Sequence, residues 1–171
     1  MSSIGEPEQC GLSGLPLAKL FSDWVAVAVA ESQPFYVAIG NLDRTQNVNM
    51  EHGYFYADGL IKHAAERLKS TLPASFKLAR VRGDEFGIVA LNTNREETKA
   101  QLELAREAVS TTLVLQHPAH EPRNHQINIS FGIAAYPSDG TSAEVVIESA
   151  REAMYLAKQR GRNRVCFFGT P

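Results

Sequence analysis

Apolar and polar positions follow two different periods along this chain, and the periods outline its elements. Residues 17–30 form an apolar-rich run without breakers and predict a first helix. "PFYVAIGNL" (residues 34–42) is apolar on both faces of a strand, which predicts a central strand covered on each side. Residues 57–71 place Leu60, Ile61, Ala64 and Leu68 at helical spacing, the mark of an amphipathic helix. Residues 76–81 and 86–91 read as the arms of a hairpin. Phe86, Ile88 and Ala90 fall on one face of its second arm, with Val89 and Leu91 on the other. Asn94 with Glu97 offers an N-cap and its returning acid for a helix carrying Leu102, Ala105 and Val109. "HPAHEPRNHQ" (residues 117–126) reads as a polar loop, and "INISFGIAAY" (residues 127–136) as a strand. Thr141 with Glu144 suggests another capping box, opening a helix with Val146, Ala150, Ala153 and Ala157 on one stripe and Gly161 at its end. "RVCFFG" (residues 164–169) reads as the last strand.

The predicted order is helix, strand, helix, hairpin, helix, strand, helix, strand. A hairpin set among helical crossovers implies an α/β (α+β) domain: a mixed central sheet of about five strands with helices on both faces, of the split βαβ or ferredoxin-like kind. The hairpin disfavours a purely parallel doubly wound sheet, and no Gly-rich turn follows the first strand, so the dinucleotide fingerprint is absent. Residues 1–15, rich in Gly, Ser and Pro, read as a flexible leader, and residues 16–171 as one folded domain.

Composition narrows the function classes. Of 171 residues, 44% are hydrophobic and 21% charged, a balance that argues against disorder. A net charge of −2 leaves no basic footprint for nucleic acid. The two cysteines, Cys10 and Cys166, suggest a reducing compartment without a disulfide framework. The opening residues lack a signal-peptide pattern, and the longest apolar run, "WVAVAVA", is far short of the roughly 20 residues that span a bilayer. A cytoplasmic location is expected.

Four stretches carry candidate chemistry. Asp84 and Glu85 stand side by side at the hairpin tip, where paired carboxylates suit a hard cation such as Mg²⁺; a charged, solvated turn explains them equally well. Asn41 and Asp43 fall on one side of the exit from the central strand, which a turn-rich loop would also explain. Lys158 ends a helix, followed by Arg160, Arg162 and Arg164; dipole complementation is the plain alternative to anion binding. His117, His120 and His125 lack a helical or strand register that would aim them at a metal.

Taken together, "GLSGLP", "RGDEF", "SFGIAAYPSDG" and "AREAMYLAKQRGRNRV", in this order and spacing, resemble the GGDEF domain of diguanylate cyclases over nearly the whole chain. The resemblance implies the palm-like fold of nucleotidyl cyclases, with the signature on a β-hairpin turn. It also implies two GTP molecules joined into cyclic di-GMP across a face-to-face pair of domains, with divalent cations offsetting phosphate charge. Asp84 and Glu85 would be catalytic and metal-binding, Asn41 a weakened metal ligand, and the backbone carbonyl of Leu42 another. Asn49 and Asp58 match positions that read guanine, since a carboxylate can accept from both N1–H and the 2-amino group. Arg82, Gly83, Lys158 and Arg162 would contact substrate, and Arg80 keeps a basic position before the turn.

The departures from the family pattern concentrate on metal and triphosphate. Asn41 stands where the family has aspartate, which removes a full charge about 4 Å from a dication. That costs a few kcal/mol at an effective dielectric near 20, or roughly a hundredfold or more in rate. Gln46 replaces a phosphate-facing lysine. Arg82 replaces the first signature glycine, with strain of about 1 kcal/mol or more if φ must be positive there. Tyr54 and Ala57 replace a His and a Gly, and Arg151 replaces an Asp in the last helix. Pro73 and Phe76 occupy the two ends of the product-inhibition motif, which is absent. The expectation is a guanine-nucleotide-binding regulatory module with weak or no cyclase activity, dimerising through flanking regions and attached to an EAL-type phosphodiesterase, with Arg82 contacting phosphate. An active diguanylate cyclase and a module that binds no nucleotide, its pocket filled by Arg82, are the alternatives.

Overall fold

The computed structural model describes residues 9–170, apart from the side chains of Asn49, Glu51 and His52. Its elements run α1 (Ala18–Ala30), β1 (Phe35–Leu42), α2 (Thr45–His52), α3 (Tyr54–Thr71), β2 (Phe76–Arg82), β3 (Glu85–Ala90), α4 (Arg95–Val109), β4 (Thr111–His117), β5 (His120–Ile127), β6 (Ile129–Tyr136), α5 (Ala143–Gln159) and β7 (Val165–Phe167).

Five strands form one mixed sheet in the order β2-β3-β1-β6-β7, antiparallel except for the β6–β7 pair. β1 lies at its centre because both of its faces are apolar. Ala38 and Leu42 join the core under α3 and α4, while Val37 and Ile39 join the one under α1 and α5. The α1 face is built by Phe21, Val25 and Ala28, and the α5 face by Val146, Ala150 and Met154, all buried. One close approach locks α5 to the sheet: a Cβ on Gly132 of β6 would overlap the Met154 nitrogen and the Ala150 carbonyl oxygen. The predicted mixed sheet with helices on both faces is the architecture observed.

Four details differ from the sequence reading. Residues 117–126 form nearly all of β5 and the turn that joins it to β4 in a two-stranded sheet, rather than a loop. β4 alternates half-buried Leu113 and Leu115 with exposed Thr112 and Val114, and the register slips between Leu115 and His117, beside Pro122. Helix α2 went unpredicted because only Val48 among its described side chains packs into the core, besides the buried Thr45. The cap of α5 is Ser142, whose hydroxyl accepts from the Val145 N–H, not Thr141. The leader reading falls on residues 1–8, outside those described, and on 9–15, which fold. There Leu15 is buried in the core, Cys10 N–H donates to the Leu15 carbonyl at 2.8 Å, and the Arg80 N–H donates to the Pro16 carbonyl at 2.8 Å.

Candidate functional site

The end of β1, the β2–β3 turn and the C-terminus of α5 meet around an open cleft of about 570 Å³. The Leu42 N–H donates to the Asp84 carbonyl at 3.1 Å, which ties the strand end to the turn. Gly83 makes that turn with φ of +44° and nothing near the place of a Cβ, so backbone conformation, not space, calls for glycine there. Of the residues expected from sequence, Asn41, Leu42, Gln46, Asp84, Lys158 and Arg162 line the cleft. Arg44, Thr45, Asn47 and Tyr155 also line it and were missed, because one loop residue, two polar residues of the unpredicted α2 and one exposed ring carry no periodic signal. Asp58 is exposed on α3 outside this lining, and the Asn49 side chain lies outside the described residues.

Electrostatically the cleft is basic, with Arg44, Lys158 and Arg162 facing it against the Asp84 carboxylate. Thr45 at the start of α2 adds a hydroxyl that is buried and has no hydrogen-bond partner among the described residues. A helix start with an unsatisfied hydroxyl beside three cations is suited to an anion such as a phosphate.

Arg82 departs from expectation in two ways. It is the last residue of β2, paired with Glu85, and is absent from the positive-φ residues, so the expected strain is not there. Its side chain is largely exposed, outside the cleft lining, and reaches Glu85 at 3.5 Å. Asp43 also differs: its buried carboxylate accepts from Ser130 Oγ at 2.8 Å, the Asn163 N–H at 3.0 Å and Lys158 Nζ at 3.3 Å. Those three donors hold it to the fold, outside the cleft lining.

The Asp84 and Glu85 carboxylates and the Leu42 carbonyl, expected to hold a divalent cation, each already accept a hydrogen bond from a neighbouring side chain. Asn41 Nδ2 donates to Asp84 Oδ1 at 2.8 Å. Lys158 Nζ donates to the Leu42 carbonyl at 3.0 Å. Glu85, only 2% exposed, is held by Arg151, whose Nη2 meets Oε1 at 2.8 Å and whose Nε meets it at 3.3 Å. Glu148 fixes the same guanidinium from its outer side at 2.8 Å. Hydrogen bonding to Glu85, against an opposing cost of burial, pushes the pKa of Arg151 above its ordinary value. Among the described residues no group of three or more His, Cys, Asp or Glu side chains stands ready to hold a metal, His117, His120 and His125 included. As arranged, these residues do not fit a dication.

A second set of contacts reaches the turn from the N-terminal side. Arg80 donates through Nε to the Gly83 carbonyl at 2.8 Å and through Nη1 to Cys10 Sγ at 2.9 Å. Burial, the largest single influence on the Cys10 thiol, raises its pKa, but hydrogen bonds with Ser13 and Arg80 outweigh it and bring it down to about 7.

Residues 17–164 match the family model described as diguanylate cyclase, GGDEF domain. The chain is 34% identical over 161 residues, 92% of its length, to the bifunctional diguanylate cyclase/cyclic di-GMP phosphodiesterase MucR of Pseudomonas aeruginosa, and covers 23% of that protein. It is 30% identical over 159 residues, 92% of its length, to the cyclic di-GMP phosphodiesterase PdeR of Escherichia coli, again covering 23%. The chain thus spans about a quarter of the length of these curated relatives. Among solved structures, the GGDEF domain of DgcB from Caulobacter crescentus in complex with c-di-GMP superposes with a TM-score of 0.87 at 25% identity, covering 99% of this chain and 100% of that one.

Proposed function

From the premise that this chain belongs to the GGDEF domain family of cyclic di-GMP signalling, we propose that it is a degenerate member: a regulatory module that binds guanine nucleotide and has weak or no cyclase activity. The longer protein it serves in is proposed to resemble its bifunctional relatives, with an EAL phosphodiesterase domain attached and pairing of copies through flanking regions. Asn49 and Asp58 read the guanine edge. Gly83, Lys158 and Arg162 meet the phosphates, joined by Arg44 and the unsatisfied Thr45 hydroxyl.

The observation that carries this reading is the Asn41–Asp84 hydrogen bond at 2.8 Å. A strand-end position suited to a metal-ligating carboxylate instead donates an amide N–H to the neighbouring signature aspartate. One negative charge is missing and a second is engaged, a loss on the order of a hundredfold or more in phosphoryl transfer.

The test has two parts. The chain, fused to a dimerising coiled coil, is assayed with GTP and Mg²⁺ for the cyclic dinucleotide. Turnover about a hundredfold or more below that of a diguanylate cyclase treated alike is expected, and comparable turnover overturns the degenerate assignment. Saturating GTP raises the melting temperature by several degrees if the pocket binds nucleotide, and an unchanged melting temperature overturns that part.

A further inference from the structure

We infer that Arg151 is a built-in counter-cation that closes this site to divalent metal, so that the pocket takes guanine nucleotide free of Mg²⁺. Its ligand half rests on the reading of the cleft as a guanine-nucleotide site; its metal half does not. The sheet register sets Glu85 directly across from Asn41, at the end of the central strand. There the Glu85 carboxylate is buried, and an ionised carboxylate in that position needs a cation, since an unpaired buried charge is too costly to keep. Arg151 meets that need with two nitrogens on one oxygen, itself only 16% exposed in its side chain. A guanidinium in this place offsets the charge of the carboxylate, takes up Oε1 and stands 3.5 Å from Oε2, where it repels a dication. Lys158 and the Asn41 amide occupy the two other oxygens that would complete such a site, the Leu42 carbonyl and Asp84 Oδ1. The cleft in front of this locked layer then carries Arg44 and Arg162, with Lys158 shared with the buried Asp43, against the Asp84 carboxylate, a balance that favours the full negative charge of an unchelated polyphosphate. A magnesium complex would present less charge to these cations and so gain nothing.

Two measurements decide this. In the first, Mn²⁺ alone is titrated by electron paramagnetic resonance against the intact chain and against Arg151→Asp, with Arg151→Gln as a second variant in case the charge reversal impairs folding. Arg151→Lys serves as the control that keeps a cation in place. At least tenfold tighter Mn²⁺ binding by the Asp or Gln variant, and none gained by the Lys variant, is the expected result. Equal affinity in the intact chain and both variants, whether measurable or nil, overturns the inference. In the second, the GTP affinity of the intact chain is compared calorimetrically in EDTA and in Mg²⁺. Affinity in EDTA equal to or greater than that in Mg²⁺ supports the inference, and a tenfold gain from Mg²⁺ overturns it. If GTP binds in neither condition, the nucleotide reading and the ligand half fall together, and the Mn²⁺ titration alone decides whether Arg151 excludes metal.

Discussion

Cys10 and His63 are two side chains whose surroundings change their chemistry. With its pKa near 7, the Cys10 thiol is a nucleophile at neutral pH, while Cys166 is buried. Iodoacetamide at pH 7 is therefore expected to alkylate Cys10 at least tenfold faster than Cys166, read by mass spectrometry. Arg80→Ala removes a stabilising donor and should slow the Cys10 reaction. His63 has its pKa held below the ordinary value, by burial first and the nearby Arg67 second, and its Nε2 is buried without a partner among the described residues. The unfolded chain takes up a proton near pH 6.5 that the folded chain resists, so stability is full above that pH and declines as pH falls below it. Melting curves from pH 7.5 to 5 should show a smaller drop for His63→Gln than for the native chain. Sequence alone marked Asp84, Glu85, Lys158 and Arg162, because they sit in linked motifs at fixed offsets. It also marked Arg151 as unusual, but not its bond to Glu85. The two lie 66 positions apart, and only the packing of α5 on the sheet brings them together.

Helices and strands were legible wherever burial imposed a period. α1, β1, β3, α4 and α5 each carry buried residues at the spacing their geometry demands. β4–β5 was not, because its polar arm is held by pairing with β4 and not by its own burial pattern. α2 was missed for the same kind of reason: one buried valine makes no stripe. Caps were half legible. Asn94 accepts from the Glu97 N–H at 2.8 Å as expected, whereas the α5 cap lies one residue past Thr141. Asn94→Ala should cost about 1 kcal/mol, a fall of roughly 2–4 °C in melting temperature. Gly132→Ala is expected to be far worse. The added methyl meets α5 backbone that cannot rotate away, so the loss should exceed the roughly 1–3 kcal/mol of ordinary overpacking. Denaturant melts of both variants check the ranking.

Stability across the whole chain should be uneven. The five-stranded sheet is packed by helices on both faces, while β4–β5 forms a separate two-stranded sheet with mostly exposed residues on β5. Amide hydrogen exchange is expected to be fastest, among the strands, in β4 and β5 and slowest in β1, β3 and β6; equal protection throughout would contradict that order. None of the described helices is long and apolar enough to cross a membrane. The central place of β1 also bears on synthesis. One edge of that strand is matched by residues 85–90, but the other waits for residues 129–136, which leave the ribosome much later. A nascent chain stalled before β6 would display an open row of amides and carbonyls on a strand apolar on both faces, an invitation to sticking between neighbours. Fragments ending before Ile129 should therefore precipitate on expression, and longer ones that include α5 and β7 should not.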